Sequence, residues 1–505
     1  MFSVTVTSLL IAVPILWALR AFYRLFLHPL AAIPGPRWAA ITSMYGGWYD
    51  LRAGTDYTRK IIKLHEQYGP VVRTFPNQVH ILDMKSYDEI FKTGSKFHRA
   101  DNPIYANPVM EGSAFNIREP SAARMRRGIY LPFFSRQSIQ QLEPLIQKQM
   151  LKFLDGLERK PAGSVVDLTM GFKCMTADVI MEYCFKKSLG FLDAEHFQHS
   201  LILALDNWFK ELPKLWYFPN VQIFMFHAIG LLPEKTVEKI VPVMAGTMWV
   251  KKQCSDRVRE LLEAEDVGTT LKSSNRSMFA NAISIMPQTG ATRITEEQLG
   301  SDAYLFFAAG TDTTSNTLAF GTWYLVNNEE ARRKLKKELQ DYIPNARSDH
   351  LRTWQELEKL PYLSAVIKES LRLGFGAVHR QPRVAPDSDY AVHGYTIPKG
   401  TPISHSTPAY HLCDTYFKDA NSFVPERWLE ASTDLEHNMV SFPRGPRSCI
   451  GQNLAYAELY LAFAYMFRRF DMKNAGTTAE DMMWTDCIVP VTKAHLKVKL
   501  TPVSE

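Results

Sequence analysis

The residue best placed to do chemistry is Cys449, which lies in the glycine- and proline-rich segment FPRGPRSCIG, residues 442–451. A helical pattern begins directly after this segment, at Gln452. At a helix N-terminus, exposed backbone N–H groups and the helix dipole lower the pKa of a thiol and favour the thiolate. Gly451 leaves room for a flat ligand to approach the backbone. We therefore expect a thiolate beside a flat ligand; the alternative is an inert, buried cysteine.

A second polar segment, AGTDTT over residues 309–314, interrupts a long apolar helix that a capping box opens at Thr295. Glycine costs roughly 1 kcal/mol inside a helix, and three threonines with an aspartate are foreign to an apolar stretch. Such departures from local preference tend to mark functional sites. Ala309 and Gly310 would leave room for a diatomic ligand, and a threonine hydroxyl can divert a backbone carbonyl and open the helix locally. The alternative is a polar stripe on a surface helix.

The cysteine segment resembles the haem-binding loop of the cytochrome P450 family. Every fixed position of that motif matches, in the order Phe442-x-x-Gly445-x-Arg447-x-Cys449-x-Gly451. The resemblance implies that Cys449 is the axial thiolate ligand of the iron of haem b. It also implies that Phe442 and Gly451 contact the haem and that Arg447 approaches a propionate.

The AGTDTT segment resembles the oxygen-side helix of the same family. By that resemblance, Ala309 and Gly310 lie against the cofactor. Thr313 hydrogen-bonds the O2 substrate or the water beside it, and Asp312 relays protons from solvent. The pairing is chemically sensible because splitting O–O requires two protons while bulk water is excluded.

Two further motifs concern the scaffold. Glu369 and Arg372 are three residues apart on a predicted helix, a spacing that usually means a solvated pair worth a few tenths of a kcal/mol. With Pro425-Glu426-Arg427 they resemble the family's Glu-x-x-Arg and Pro-Glu-Arg signatures. The resemblance implies that Glu369, Arg372 and Arg427 form a buried network bracing the cysteine loop.

Other arginines are candidates for the haem propionates. Alignment on the Phe-Phe-Ser that ends at 135 makes Arg127 one of them, but its usual partner position is occupied by Ala123, which cannot donate a hydrogen bond. Arg383 aligns with a second such arginine, and Arg380 is a close competitor that the sequence does not separate from it. For the cluster around Arg127, the alternative is a solvated helix face.

The substrate pocket is predicted from apolar residues near these motifs. They are Phe306, Phe307, Val378 and Ile488. Together they would line a mainly apolar pocket, although each could equally be a plain core residue.

Composition limits the other possibilities. The 505-residue chain carries a net charge of +6 without a Lys/Arg-rich tract, so nucleic-acid binding is not indicated. Its six cysteines are dispersed, with no CxxC pair, which favours a reduced, cytosol-facing compartment.

The N-terminus predicts a membrane anchor. Residues 2–19 carry no charge, and Arg20 and Arg24 follow, which places the N-terminus in the lumen and the body in the cytosol. A cleaved signal peptide is the alternative, but its basic n-region is missing. We predict an anchor over residues 1–27, a proline-rich connector over 28–36 and a haem domain over 37–505. The expected location is the endoplasmic reticulum membrane, with a single span.

The predicted fold is mainly α with small β-sheets: the cytochrome P450 fold preceded by an N-terminal transmembrane helix. Short strands are expected at 71–75 and 79–82, mostly helices from 137 to 342, and an exposed loop around 265–294.

The resemblance implies a monooxygenase that inserts one oxygen atom of O2 into an apolar small molecule, by hydroxylation or epoxidation. Electrons would come from NADPH through a separate cytochrome P450 reductase, because the chain shows no flavin domain. The style of the chain is similar to fungal microsomal members, which suggests terpenoid or polyketide biosynthesis. The alternatives are a haem-thiolate isomerase or dehydratase that needs no O2, and a non-catalytic haem-binding membrane protein.

Overall fold

A computed structural model of the protein describes residues 2–52, 56–100, 108–266, 276–286 and 294–503; for residues 2–10, 108, 230, 234, 238, 243 and 266 it describes the backbone alone. The helices are α1 Phe2–Phe22, α2 Arg37–Ile41, α3 Met44–Asp50, α4 Tyr57–Tyr68, α5 Met84–Phe91, α6 Pro120–Tyr130, α7 Arg136–Glu158, α8 Leu168–Phe185, α9 Ser200–Leu215, α10 Pro219–Gly230, α11 Glu234–Ile240, α12 Pro242–Asp266, α13 Met278–Ile285, α14 Glu296–Asn327, α15 Glu329–Tyr342, α16 Trp354–Leu357, α17 Pro361–Gly374, α18 Thr407–His411, α19 Thr433–Asn438 and α20 Gln452–Arg469.

The strands form small sheets at the edges of this helical body. They are β1 Val71–Phe75, β2 Gln78–Ile81, β3 His98–Arg99, β4 Ser164–Asp167, β5 Arg383–Val384, β6 Tyr390–Val392, β7 Tyr395–Ile397, β8 Ile403–Ser404, β9 Phe470–Asn474, β10 Trp484–Cys487, β11 Val489–Thr492 and β12 Lys497–Pro502. The largest sheet has the order β1-β2-β8-β5-β3, a second has β4-β12-β9, and β6-β7 and β10-β11 are hairpins. The mainly helical architecture with small sheets is therefore as predicted.

Helix α14 is the centre of the core. The predicted capping box at its start is present: Thr295 and Gln298 exchange side-chain-to-backbone hydrogen bonds. The helix runs 32 residues and packs against α8, α12, α17 and α20. Because α8 is itself buried along nearly its whole length, polar groups on the facing sides of α8 and α14 need partners within the protein.

The predicted connector packs on the body. Leu30 and Ile33 are buried against the largest sheet, and Pro34 O accepts a hydrogen bond from Arg73 N at 2.8 Å. Within the predicted loop around 265–294, the structure places helix α13, whose Met278 and Phe279 are buried. That part of the expectation is wrong, because a short apolar helix lies between two segments, 267–275 and 287–293, that are outside the described residues.

The predicted anchor includes helix α1. Most of the large apolar side chains between Ile11 and Phe22 are exposed. The side chains of residues 1–10, about half of the predicted span, lie outside the described set. Within the described set, no helix has the length and apolarity needed to cross a membrane.

Candidate active site

A tight turn presents Cys449 immediately before α20. Gly445 has φ +75°, which favours glycine, and a Cβ at this position would overlap the carbonyl oxygen of Phe91 at the end of α5. Glycine is therefore required at 445 for both reasons. The turn ends at Arg447, and Gly451 is the N-cap of α20, so Cys449 lies two residues before the N-cap, near the helix N-terminus as the sequence predicted.

The electrostatics of Cys449 differ from the expectation. Burial raises the pKa of its thiol above the usual value, and the Gly451 N–H and the Arg127 guanidinium lower it only in part. The predicted lowering is therefore wrong for the protein alone, because desolvation outweighs the helix end. A metal ion reverses this balance, since a coordinating thiol is deprotonated.

Cys449 opens into an internal cavity of about 250 Å³, which explains why a residue surrounded by protein still has accessible surface. Helix α14 forms the opposite wall with Leu305, Phe306 and Ala309. Ala309 is exposed, whereas Ala308 before it is buried and Gly310 after it is half-buried, because Ala309 faces this space. The cavity thus brings the two segments singled out in the sequence to one place.

The space beside Cys449 fits a flat macrocycle. A Cβ built on Gly451 meets no atom within 4 Å, so this side of the loop borders open volume. Arg127 donates from Nη2 to Ser448 O at 2.6 Å, and Arg447 donates from Nη2 to Ile117 O at 2.5 Å, which places two guanidinium groups at the cysteine loop. A soft thiol donor, a glycine with open space beside it and flanking cations are groups that suit an iron porphyrin with two propionates. The residues present therefore fit haem.

The other two candidate arginines lie in different surroundings. Arg383 packs over the ring of Phe91 and lines a small cavity of about 90 Å³ together with Ala123 and Arg447. Arg380 packs between Tyr57 and Phe75 and also lines the cavity of Cys449. The 90 Å³ cavity thus joins Arg383 to the cysteine loop.

The polar segment of α14 keeps its helical backbone, and two of its threonine hydroxyls donate to backbone carbonyls of the same helix. Thr313 Oγ1 donates to Ala309 O at 2.9 Å, one turn earlier. A Cβ on Gly310 would lie 3.0 Å from Ile180 Cγ1, so a larger residue there would crowd the close approach of α8. The bond from the threonine hydroxyl to the carbonyl is present, but the predicted local opening is wrong, because the helix is continuous through this segment.

Asp312 is buried and points away from the cavity toward α8. Its Oδ1 accepts a hydrogen bond from Lys173 Nζ at 2.7 Å, and Lys173 also bonds Asp206 Oδ1 at 2.6 Å. Burial raises the pKa of Asp312, and Lys173 lowers it in part. Asp206 has further cationic partners in Lys210 and His495, at 2.8 and 3.5 Å.

Glu369, Arg372 and Arg427 are in contact. Arg372 makes a bidentate pair with Glu369, at 2.9 and 2.7 Å, and both side chains are 0% exposed. Arg427 Nε lies 3.2 Å from Glu369 Oε1, and Trp428 Nε1 donates to Oε2 at 2.8 Å. The remaining donors of Arg372 reach three backbone carbonyls, so the buried charges are satisfied.

Comparison with known proteins agrees with this geometry. The cytochrome P450 family model matches residues 34–499. Cytochrome P450 monooxygenase aflU of Aspergillus parasiticus is 34% identical over 494 residues, covering 95% of each chain. The chain belongs to the cytochrome P450 family. Cytochrome P450 monooxygenase tpcC of Cochliobolus heterostrophus is 33% identical over 509 residues (97% of this chain, 95% of the relative), and conidiogenone synthase of Penicillium rubens is 33% identical over 465 residues (91% of each).

This P450 is accordingly a monooxygenase and an oxidoreductase, and its family implies a haem cofactor, a redox partner and a substrate oxidised with O2. Of the four residues predicted for its pocket, Phe306 and Ile488 line the cavity. Phe307 and Val378 are not among the residues that line it. Consecutive helix residues cannot share a face, so Phe307 turns away from Phe306 and is buried against Phe191. Val378 is fully buried, and its N–H donates to Ile488 O at 2.9 Å.

Ile488 reaches the cavity from an unfavourable backbone conformation. It forms the tip of the β10–β11 hairpin with φ +80°, a region that β-branched residues rarely adopt. Strain of this kind persists where the surroundings over-determine it, often at ligand sites.

Sequence reasoning missed two buried ionic clusters of this P450. One is the Lys173 pair described above; the other surrounds Arg380 and includes His379 and Asp486. Lys173 is a single lysine in an apolar helix, and His379 and Arg380 are adjacent residues in a loop. Neither matches a sequence motif, so only the structure shows which carboxylates lie beside them.

Proposed function

We propose that this P450 hydroxylates or epoxidises an apolar small molecule, with one oxygen atom from O2, during terpenoid or polyketide biosynthesis. The observation that carries the proposal is the cavity of about 250 Å³ that places Cys449 opposite Ala309. One relative is named as the synthase of conidiogenone, and others are named as monooxygenases, which supports a role in making a specialised metabolite. These names do not favour the O2-independent isomerase.

Haem b would be held by Cys449 at its iron, by Phe442 and Gly451 along its face, and by arginines at its propionates. When bound, it supplies one-electron chemistry with O2, and a thiolate ligand favours O–O cleavage. For the propionates we propose Arg127, Arg447 and Arg383, because Arg383 shares the 90 Å³ cavity with Arg447. Glu369, Arg372 and Arg427 hold the segment around residues 420–428, and their proposed role is to brace the cysteine loop.

On the oxygen side, Ala309 would lie against the haem, and Gly310, which packs against Ile180 of α8, would leave room for O2 as the second small residue of the motif. Thr313 is the proposed hydroxyl beside O2, and it can exchange its 2.9 Å bond to Ala309 O for one to O2 or water. Asp312 is the proposed proton carrier. Phe306 and Ile488 would contact the substrate directly, with Phe307 and Val378 supporting them from behind.

The proposed electron donor is a membrane-bound NADPH–cytochrome P450 reductase, and the proposed location is the endoplasmic reticulum membrane with residues 1–27 as a single-pass anchor. Exposed Leu16, Trp17 and Leu19, followed by Arg20 and Arg24, support membrane contact by α1.

The test is oxygen incorporation. Microsomes that contain this P450 and a fungal reductase are supplied with NADPH and ¹⁸O2, and products from a panel of terpenoid and polyketide precursors are measured by mass spectrometry. We expect one ¹⁸O atom per product, and none when NADPH is omitted. Conversion that continues without NADPH and carries no ¹⁸O would refute the monooxygenase and favour the isomerase.

A further inference from the structure

The second ionic cluster adjoins the active-site cavity. A chamber of about 470 Å³ lies on the other side of His379 and Arg380, and both residues line the chamber as well as the cavity of Cys449. We call it the basic chamber; its polar lining includes Arg20, Arg24, Asn77, Gln78 and Arg380. Among its described lining residues there is no carboxylate, so the charged side chains at its surface are cationic.

Arg380 is the central donor of this chamber. The side chain is 6% exposed, and its guanidinium carbon lies 5.3 and 5.2 Å from the ring centroids of Tyr57 and Phe75. Its protein hydrogen bond, from Nη1 to Thr58 Oγ1, is long at 3.4 Å. A guanidinium has five N–H donors, and Thr58 is the only hydrogen-bond partner of Arg380 among the described residues, so most of these donors remain for a ligand in the cavities that Arg380 lines.

The nearby carboxylates are bonded to other groups. Asp486 accepts from His379 Nδ1 at 2.9 Å and from Thr58 Oγ1 at 2.7 Å. Asp50 accepts from Tyr57 N at 2.7 Å and from Tyr217 OH at 2.5 Å. In the described part of the chain, no carboxylate oxygen forms an ion pair with Arg380 within 4 Å.

The neighbouring acids nevertheless keep Arg380 charged. Burial alone would lower the pKa of this guanidinium, but Tyr217, Asp50 and Asp486 raise it above its usual value. A buried cation with unfilled donors is costly unless a ligand completes its hydrogen bonds.

We infer that Arg380 binds the carboxylate of an otherwise apolar substrate, with the apolar part extending past Ile488 toward Cys449. This inference rests on the proposed monooxygenase function and narrows its substrate to apolar carboxylic acids. Arg380 and Arg383 then have different tasks: three residues apart in an extended segment, they point to opposite sides, one to the basic chamber and the other to the cysteine loop.

The experiment compares matched acids and esters on the full-length holoenzyme in detergent. The probes are dodecanoic acid with methyl dodecanoate, and the rigid abietic acid with methyl abietate. Binding is measured by isothermal titration calorimetry and by the haem spectral shift. Since a charge-assisted hydrogen bond to a buried guanidinium is strong, we expect at least one acid to bind about tenfold more tightly than its ester, or better. Equal binding of each pair, or binding of neither acid, overturns the inference.

Three variants locate the effect. Arg380→Gln should abolish the preference for the acid without weakening the ester, and Arg380→Lys should keep part of it, because the charge remains but the fork is lost. Arg37→Gln removes an exposed charge of α2 that does not line the chamber, and should leave the preference unchanged. If Arg380→Gln does not fold, the wild-type pairs and Arg380→Lys decide the outcome.

The same samples separate this inference from the proposed function. An intact 450 nm band of the reduced CO complex with no acid preference overturns the carboxylate site alone, whereas a wild-type protein without that band overturns the P450 assignment of Cys449. A folded Arg380→Gln protein that no longer takes up haem would assign Arg380 to a propionate, and would also overturn the inference.

Discussion

Replacing Lys173 by Met tests whether the buried ion pair on α14 is a structural necessity. Lys173 Nζ bonds both Asp312 and Asp206, and all three side chains are almost fully buried. Asp206 keeps Lys210 and His495 when the lysine is removed, but within the described residues Lys173 is the only cation paired with Asp312. The variant therefore leaves one uncompensated buried carboxylate.

Breaking a buried pair by removing one partner costs about 3–5 kcal/mol, and we expect that loss in the free energy of unfolding of Lys173→Met. Asp312→Asn alone should cost less, because Lys173 retains Asp206. Adding Asp312→Asn to Lys173→Met should restore part of the loss, on the order of 2 kcal/mol, since the orphaned charge is removed. The double variant is thus expected to be more stable than Lys173→Met.

Urea unfolding of the full chain in detergent, followed by far-ultraviolet circular dichroism at fixed haem content, measures these differences. Fixed haem content matters because a bound ligand adds to apparent stability. A Lys173→Met protein within about 1 kcal/mol of the wild type would show that the carboxyl is simply protonated at little cost. A double variant less stable than Lys173→Met would show that the pair is not what holds α8 against α14.

The remaining predictions concern single positions. Cys449→Ala should lose the 450 nm band of the reduced CO complex while Cys413→Ala keeps it; a 450 nm band in the first variant would remove Cys449 as the iron ligand. Gly445→Ala should lose haem, because the added Cβ overlaps the Phe91 carbonyl and because the positive φ costs a non-glycine residue about 1–3 kcal/mol. Gly476 also has a positive φ but open space around it, so Gly476→Ala should show only the cost of the backbone conformation in urea unfolding. Thr313→Ala should keep haem but release several-fold more peroxide per NADPH oxidised than Thr317→Ala, which loses a similar hydroxyl-to-carbonyl bond one turn later; equal peroxide yields would contradict the role of Thr313 beside O2. Burial lowers the pKa of His495, but hydrogen bonds to two carboxylates outweigh burial and raise this pKa from 6.5 to about 9. The contribution of His495 to the free energy of unfolding, up to about 3 kcal/mol, is therefore complete below pH 6.5 and is lost as the pH rises through 9. His495→Gln should flatten this decline of the unfolding free energy with pH, and an unchanged decline would contradict the assignment.

The sequence predicted the parts of this molecule that break local rules. Cys449 between two glycines and the threonines of α14 stand out because neither the turn nor the helix needs them, and the structure brings both segments to one cavity. The mainly helical body follows from apolar periodicity. Helix α13 was missed because its eight residues are too short for that periodicity to stand out between polar segments.

The partners of buried charges could not be predicted. Lys173 is one lysine in an apolar helix, and its two carboxylates come from residues 33 and 139 positions away. The pKa of Cys449 was predicted with the wrong sign, because the helix end is visible in the sequence and the desolvation is not. The sequence does not show which of Arg380 and Arg383 binds a propionate, although the two side chains have different surroundings in the fold.

Asp312 connects the stability of α14 with its proposed chemistry. Its Oδ1 is used by Lys173, while its Oδ2 is buried and has no hydrogen-bond partner within the described part of the chain. A buried oxygen without a hydrogen-bond donor costs about 1–3 kcal/mol of stability. If Asp312 were purely structural, a second donor beside Oδ2 could remove this cost. The proposed proton carrier therefore has one oxygen fixed by the ion pair and the other free to accept a proton. Lys173 holds the carboxyl in place, and burial raises the pKa of Asp312 while Lys173 lowers it in part.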